Sequence, residues 1–215
     1  MAEVELLPPV VPSKVLALAV NFADQLREAR MDAPGLPPLF FKAPSAVIGP
    51  GGAIRLPAQA QSVQHGAALA VVIGRGGRWI SPEAAARHVL GYTCAGDVRA
   101  LDVAEMDQGL ARAGSFDTFC PLGPAIATQA NPTELIIRSA VNGVTRQMTS
   151  THDMLFTVPQ VVAFASAAMT LLPGDVILMG TPAGAGLLAA GDRVEVAIEG
   201  VGVLSNTVTK ESTWA

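Results

Sequence analysis

The stretch Leu135-Ile-Ile-Arg-Ser-Ala-Val-Asn-Gly-Val-Thr-Arg-Gln-Met148 reads as a β-hairpin. Two runs rich in β-branched residues flank Asn142-Gly143. That dipeptide tolerates positive φ at both central positions of a type I′ turn, whose twist matches the strands on either side. The same grammar recurs along the chain. Leu69-Ala-Val-Val-Ile-Gly74 is an unbroken apolar run, the mark of a strand buried on both faces. Lys14 to Val20, Leu39 to Lys42, Tyr92 to Ala95, Ala125 to Thr128, Val176 to Met179, Arg193 to Ile198 and Val201 to Val208 read as further strands, and Ala46 to Ile48 as one more beyond Pro44. Turns are marked by residues 49–52, Pro173-Gly174-Asp175 and Ala190-Gly191-Asp192.

Three helices are expected among them. Asn21 to Arg30 is one, with Asn21 able to cap it. Ser81-Pro82-Glu83 starts a second that runs to Leu90-Gly91. Val158 to Met169 is the third, with Pro159 at its start. Residues 1–12 read as irregular, 31–38 as a Pro/Gly loop, and 99–115 as a mobile loop with one or two helical turns. Short strands without βαβ alternation predict an α+β class dominated by β, a mixed-sheet roll or sandwich, in a single domain over 1–215.

Composition excludes several function classes. Half of the 215 residues are apolar and 15% are charged, which excludes disorder as the main state. The mean hydropathy of +0.42 is high, yet the best apolar stretch, Val158 to Leu172, contains Pro159, Gln160, Ser166 and Thr170. That falls short of the ~20 apolar residues of a membrane span. The excess is assigned to the core and an apolar interface, so an oligomer is expected. Net charge is −4, and no basic cluster exists to hold nucleic acid. Met1-Ala-Glu-Val-Glu lacks the features of a signal peptide, and Cys94 and Cys120 stand far apart in apolar surroundings. Buried free thiols in a reducing cytoplasm are expected.

Chemistry-bearing residues are few. His65, His88 and His152 have no zinc spacing. His88 reads as a surface or packed residue. His65, just ahead of the buried strand, reads as a packed residue or a pocket residue. Ser150, His152 and Asp153 are too close in sequence to converge as a triad and read as helix capping. Gly180-Thr-Pro-Ala-Gly-Ala-Gly186 is a tight turn or an anion-binding loop. Asp102, Glu105 and Asp107 read as a solvated acidic loop, whereas Asp97 ends an apolar strand.

Taken in order, several segments resemble the fumarylacetoacetate hydrolase family across nearly the whole chain. They are Asn21-Phe22, Phe41-Lys-Ala-Pro-Ser45, Val47-Ile-Gly-Pro50, Leu69 to Gly74, Gly91-Tyr-Thr93, Asp97-Val98, Phe116-Asp-Thr-Phe-Cys-Pro-Leu-Gly-Pro124, Val141-Asn-Gly143, Asp153-Met154, Pro173-Gly-Asp-Val-Ile177, Gly180-Thr-Pro-Ala-Gly184 and Ile198-Glu-Gly200. The resemblance implies a β-rich, usually dimeric fold. It implies Mg²⁺ or Mn²⁺ on three carboxylates and cleavage, decarboxylation or isomerisation of oxo-acids.

Carried over residue by residue, the resemblance breaks at the metal. The family's Glu-x-Glu falls on Gly66-Ala67-Ala68, its lid His on Gln25 and its lysine on Gly114. Asp97 survives as a remnant of the metal site, and Glu28 matches the lid Glu as the one candidate catalytic residue. Phe22, Gln25, Lys42, Asp97 and Thr181 would line a substrate pocket. One carboxylate cannot replace three against the hydration of Mg²⁺, so no cofactor is expected in this chain alone. The pattern resembles the first half of the two-domain isomerase/decarboxylase of 4-hydroxyphenylacetate (homoprotocatechuate) breakdown, which acts on 5-carboxymethyl-2-hydroxymuconate and its tricarboxylate precursor. Partners expected on that basis are a second copy or a metal-bearing paralogous subunit, and an oxo-dicarboxylate. An active enzyme with relocated ligands (Asp97 with Asp102, Glu105 or His65) and a purely structural homodimer are the alternatives.

Overall fold

In chain order the strands of the computed structural model, which describes residues 6–211, are β1 (Val15–Leu18), β2 (Leu39–Lys42), β3 (Val47–Ile48), β4 (Ala53–Leu56), β5 (Val63–His65), β6 (Ala67–Ile73), β7 (Val89–Gly96), β8 (Arg99–Ala100), β9 (Cys120–Ala127), β10 (Ile136–Val141), β11 (Val144–Ser150), β12 (Val176–Leu178), β13 (Gly186–Leu187), β14 (Arg193–Ile198) and β15 (Gly202–Lys210). The helices are α1 (Ala23–Ala29), α2 (Pro82–Ala85), α3 (Leu101–Asp107) and α4 (Val158–Ala168). The reading of the first five residues lies outside the described residues.

A seven-stranded sheet has the order β2-β1-β12-β6-β7-β9-β3, a five-stranded sheet β11-β10-β14-β15-β4, and a small one β13-β5-β8. Three pairs are parallel (β1 with β12, β3 with β9, β4 with β15) and the rest antiparallel, which is the mixed, β-dominated architecture expected. Strand β6 explains the unbroken apolar run. Its side chains alternate: Ala67, Leu69, Val71 and Ile73 meet α4 through Val158, Val161 and Val162 and the second sheet through Ile137, Val196 and Leu204. Ala68, Ala70 and Val72 point the other way, toward Ile54, Val63, Phe119 and Leu122. Both faces are covered, so both must be apolar; each fully buried Leu, Ile or Val contributes about 1.5–3 kcal/mol.

The hairpin forms as read. Asn142 (φ 52°) and Gly143 (φ 79°) make the turn between β10 and β11, and Asn142 Oδ1 accepts from the Arg193 N–H, tying the turn to β14. A Cβ at residue 143 would meet nothing within 4 Å, so only backbone strain opposes it. Gly143→Ala is therefore expected to cost about 1 kcal/mol, read as a lower urea midpoint with an unchanged slope. A midpoint equal to the parent's would contradict the left-handed geometry.

Several expectations are corrected by tertiary structure. The helix begun at Ser81 lasts only through Ala85, because Val89 and Gly91 pair with Ile73 and Val72 and the His88 carbonyl accepts from the Gly74 and Arg75 N–H groups. Asn21 does not cap α1. Phe22 holds that position, while the buried Asn21 amide donates to the Phe156 and Met179 carbonyls and accepts from the Phe156 N–H. Three backbone groups brought from distant loops outcompete one local cap. Ala46 lies in a 3₁₀ turn, and β9 starts at Cys120 rather than Ala125, because Leu122 and Gly123 already pair with β7. Within 99–115, Arg99–Ala100 is a short strand and α3 supplies the two helical turns. Strands β4, β5 and β13 escape the reading. Ser150 Oγ accepts from the His152 N–H in a 3₁₀ turn, whereas α4 starts at Thr157, with Gln160 Oε1 accepting from the Thr157 N–H. Cys94 and Cys120 are free and buried, and burial pushes both thiols up to about 12. Among the described residues no helix is long and apolar enough to cross a membrane.

Candidate functional site

The site is built where β5 and β6 meet the end of β7. Gly66 and Asp97 face each other and exchange both backbone hydrogen bonds, Gly66 N–H to Asp97 O at 3.0 Å and Asp97 N–H to Gly66 O at 2.8 Å. The chain continues extended into β8, so Arg99, two residues on, projects to the same side as Asp97. Lys42, at the end of β2, reaches the carboxylate from beneath.

Asp97 is thereby held by two cations. Lys42 Nζ lies 2.9 Å from Oδ1 and also donates to Val98 O at 3.0 Å. Arg99 Nε and Nη2 lie 3.0 and 2.5 Å from Oδ2. Arg99 further donates to the carbonyls of Leu18 at 3.2 Å and Ala19 at 3.4 Å, and its guanidinium stacks 4.9 Å from the Phe40 ring centre. Burial alone would push the Asp97 carboxyl up. The charges of Arg99 and Lys42 and their hydrogen bonds outweigh it and hold the group at about 2.

Above this pair lies a partly open cavity of about 200 Å³, lined by Gln25, Glu28, His65, Asp97, Arg99 and Thr181 among others. A larger depression of about 680 Å³ beside residues 126–131 is a more open surface groove and carries no such convergence of charge. The loop 180–186 closes one wall. Its Gly184 N–H donates to the Glu28 carboxylate at 3.2 Å, so an anion does sit on this loop, and it comes from α1. Gln147, buried in β11, fixes the loop from behind. Its Nε2 donates to Thr181 Oγ1 at 2.9 Å and Pro182 O at 2.8 Å, and its Oε1 accepts from the Ala67 N–H and the Ser139 hydroxyl.

A divalent metal does not fit this donor set. Both Asp97 oxygens already face cationic side chains. A Cβ on residue 66 would lie 2.4 Å from Thr181 Oγ1, so the space a glutamate would need there is filled by threonine. Ala68 is enclosed in an apolar cluster with Val98 and Phe119. At Gly114 an added Cβ would come within 3.1 Å of Lys42 Nζ, so an ammonium from β2 occupies that space. Among the described residues no group of three His, Cys, Asp or Glu side chains is placed to share an ion.

Of the residues singled out in the sequence, Gln25, Glu28, Asp97 and Thr181 line the cavity. Phe22 instead packs in the core and Lys42 is buried behind Asp97. Asp102 accepts from the Gln61 and Ser62 N–H groups, Asp107 pairs with Arg112, and Glu105 is exposed on α3, so none of the three joins Asp97. Among the relocated candidates, His65 alone lines the same cavity as Asp97. Arg99 and Gln147 escaped sequence reasoning. The signal for Arg99 was available in its i, i+2 relation to Asp97; for Gln147 it was not, because apart from Ser139 across the hairpin its partners come from two distant segments.

Residues 14–209 match the family model for the fumarylacetoacetate (FAA) hydrolase C-terminal region. An uncharacterized protein of Archaeoglobus fulgidus is 47% identical over 210 residues, covering 98% of this chain and 84% of that one. The structure of 5-carboxymethyl-2-hydroxymuconate delta-isomerase from Mycobacterium smegmatis is similar at a TM-score of 0.92 and 44% identity, over 99% of this chain and 85% of that one. That of 2-hydroxyhepta-2,4-diene-1,7-dioate isomerase from Mycobacterium marinum gives 0.90 and 42%, over 96% and 78%.

Proposed function

We propose a function from one premise: this chain belongs to the fumarylacetoacetate hydrolase family. The function is that of an oxo-dicarboxylate-binding subunit without a metal of its own. It works beside a metal-bearing paralogous subunit in the isomerase/decarboxylase steps of 4-hydroxyphenylacetate breakdown in the cytoplasm. Likeness to one protein named as an isomerase of an unsaturated tricarboxylate and to another named as an isomerase of an unsaturated dicarboxylate supports the substrate class.

The observation that carries the metal-free reading is the saturation of Asp97 by Lys42 and Arg99. A carboxylate so paired is a poor competitor for a hydrated Mg²⁺, which needs several oxygen ligands at once. Lys42 and Arg99 offset Asp97 and Glu28, so an anionic ligand would be met at the one cationic side chain of the lining. Arg99 is the group that presents this charge to the cavity. Lys42 holds Asp97 in place from below.

The test is calorimetric titration of the purified chain with Mn²⁺ and Mg²⁺, followed by assays of oxo-dicarboxylate decarboxylation and isomerisation with and without the paralogue. The expected result is no saturable metal binding in the micromolar range, no turnover alone, and turnover in the mixture. Micromolar metal affinity with turnover by the isolated chain would overturn the reading. A mixture that neither associates nor turns over would leave a structural homodimer in its place.

A further inference from the structure

His65, at the end of β5, is 1% exposed, and neither ring nitrogen has a hydrogen-bond partner. Buried polar side chains are almost always paired, because an unpaired one lowers stability. The other polar side chains of the cavity wall are paired. Thr181 accepts from Gln147, Gln25 donates to Ala19 O, Gln64 donates to Ala185 O, Glu28 accepts from Gly184, and Asp97 and Arg99 hold each other. The unmet hydrogen-bonding capacity of this wall is an imidazole.

Burial first, and then the charge of Arg146, pull His65 down to about 4 against a smaller pull from Asp192, so the ring is neutral at pH 7. A neutral imidazole offers one donor nitrogen and one acceptor nitrogen. The β13 residue in register with it is Gly186, and a Cβ there would lie in ordinary van der Waals contact with Nε2, at 3.8 Å.

We propose that His65 reads the 2-oxo or enol oxygen of a short oxo-dicarboxylate in this cavity, while Arg99 faces a carboxylate of the same ligand. Hydrogen bonding by a neutral ring takes the place of chelation by a metal. The ligand is short, in keeping with a cavity of about 200 Å³. It is anionic because Arg99, the one cationic side chain of the lining, faces it. It carries an oxo or enol oxygen because that group can accept from, or donate to, the ring. Because His65 is 1% exposed, the wall must shift for a ligand to reach its nitrogens, and one tie in that wall is the exposed contact of Glu28 with the Gly184 N–H. The inference rests on the pocket reading given under the proposed function.

The probe is 2-oxoglutarate, with glutarate as the control that lacks only the oxo oxygen, titrated calorimetrically in EDTA. The parent should bind 2-oxoglutarate about five- to tenfold more tightly than glutarate, the discrimination one neutral hydrogen bond supplies. His65→Phe should abolish that difference and yet raise Tm by about 2–4 °C, because an unpaired buried imidazole is replaced by an apolar ring. Opposite signs on binding and stability distinguish a ligand-reading group from a packing one. Retained discrimination in His65→Phe, or its loss together with a fall in Tm, would overturn the inference and leave the pocket reading standing. So would equal binding of the two probes by the parent. A parent that binds neither probe would overturn both.

If His65→Phe does not fold, the parent itself decides the matter by NMR of ¹⁵N-labelled histidine. The chain has three histidines, and His88 and His152 lie away from the cavity. Saturating 2-oxoglutarate should shift the His65 ring nitrogens, and an unmoved resonance would overturn the inference.

Discussion

Asp97→Asn is expected to lose roughly 3–5 kcal/mol of stability at pH 7, the usual consequence of removing one partner from a buried ion pair. The substitution keeps shape and removes only charge. It leaves Lys42, 1% exposed, and Arg99 facing each other with no anion between them. Urea unfolding at pH 7 measures the loss. The parent should also show the pH signature of this carboxylate. Its folded-state value near 2 lies below the ordinary one near 4, so the stabilisation is present above pH 4 and is lost as pH falls toward 2. The loss across that window amounts to roughly 2 kcal/mol and should be absent from Asp97→Asn. Equal midpoints for parent and variant at pH 7 would show that the carboxylate is not the counter-ion of the two cations.

Gln147→Leu is expected to lose about 3 kcal/mol or more. One amide meets four partners on three segments: the Ala67 N–H at 2.8 Å, the Ser139 hydroxyl at 2.9 Å, Thr181 Oγ1 at 2.9 Å and Pro182 O at 2.8 Å. Leucine fills similar space but leaves buried donors and acceptors unmatched, each worth about 1–3 kcal/mol. Because the lost bonds anchor the loop carrying Thr181 and Gly184, amide exchange at Gly184 should also quicken. Pairing Gln147→Leu with Ser139→Ala should recover part of the loss, since the hydroxyl then no longer needs a partner. Strict additivity of the two changes would rule out the shared network.

The two variants probe different kinds of information. Asp97 was conspicuous in the sequence as an acid closing an apolar run. That a cation stands two residues on was equally visible, yet its significance depends on Lys42 arriving from β2. Gln147 sat unremarked in a strand of alternating character. In that strand it is the one fully buried residue, because β11 is the edge of its sheet and only there does the 180–186 loop cover it. The helix expected after Ser81 failed for a related reason: local signals favour a helical start, but Val89 and Gly91 pair with β6, a strand distant in sequence.

Local chemistry was enough to establish the strands that are long, the Asn142-Gly143 turn, the buried central strand and the absence of glutamates at residues 66 and 68, since each depends on neighbours in the chain or on side chains that are simply not there. What fills the place of those glutamates was decided only when distant segments met. Thr181 occupies the room beside Gly66, Lys42 and Arg99 neutralise Asp97, and His65 is enclosed without a partner. Such arrangements depend on distances between groups far apart in sequence, and those distances exist only once the sheets have packed.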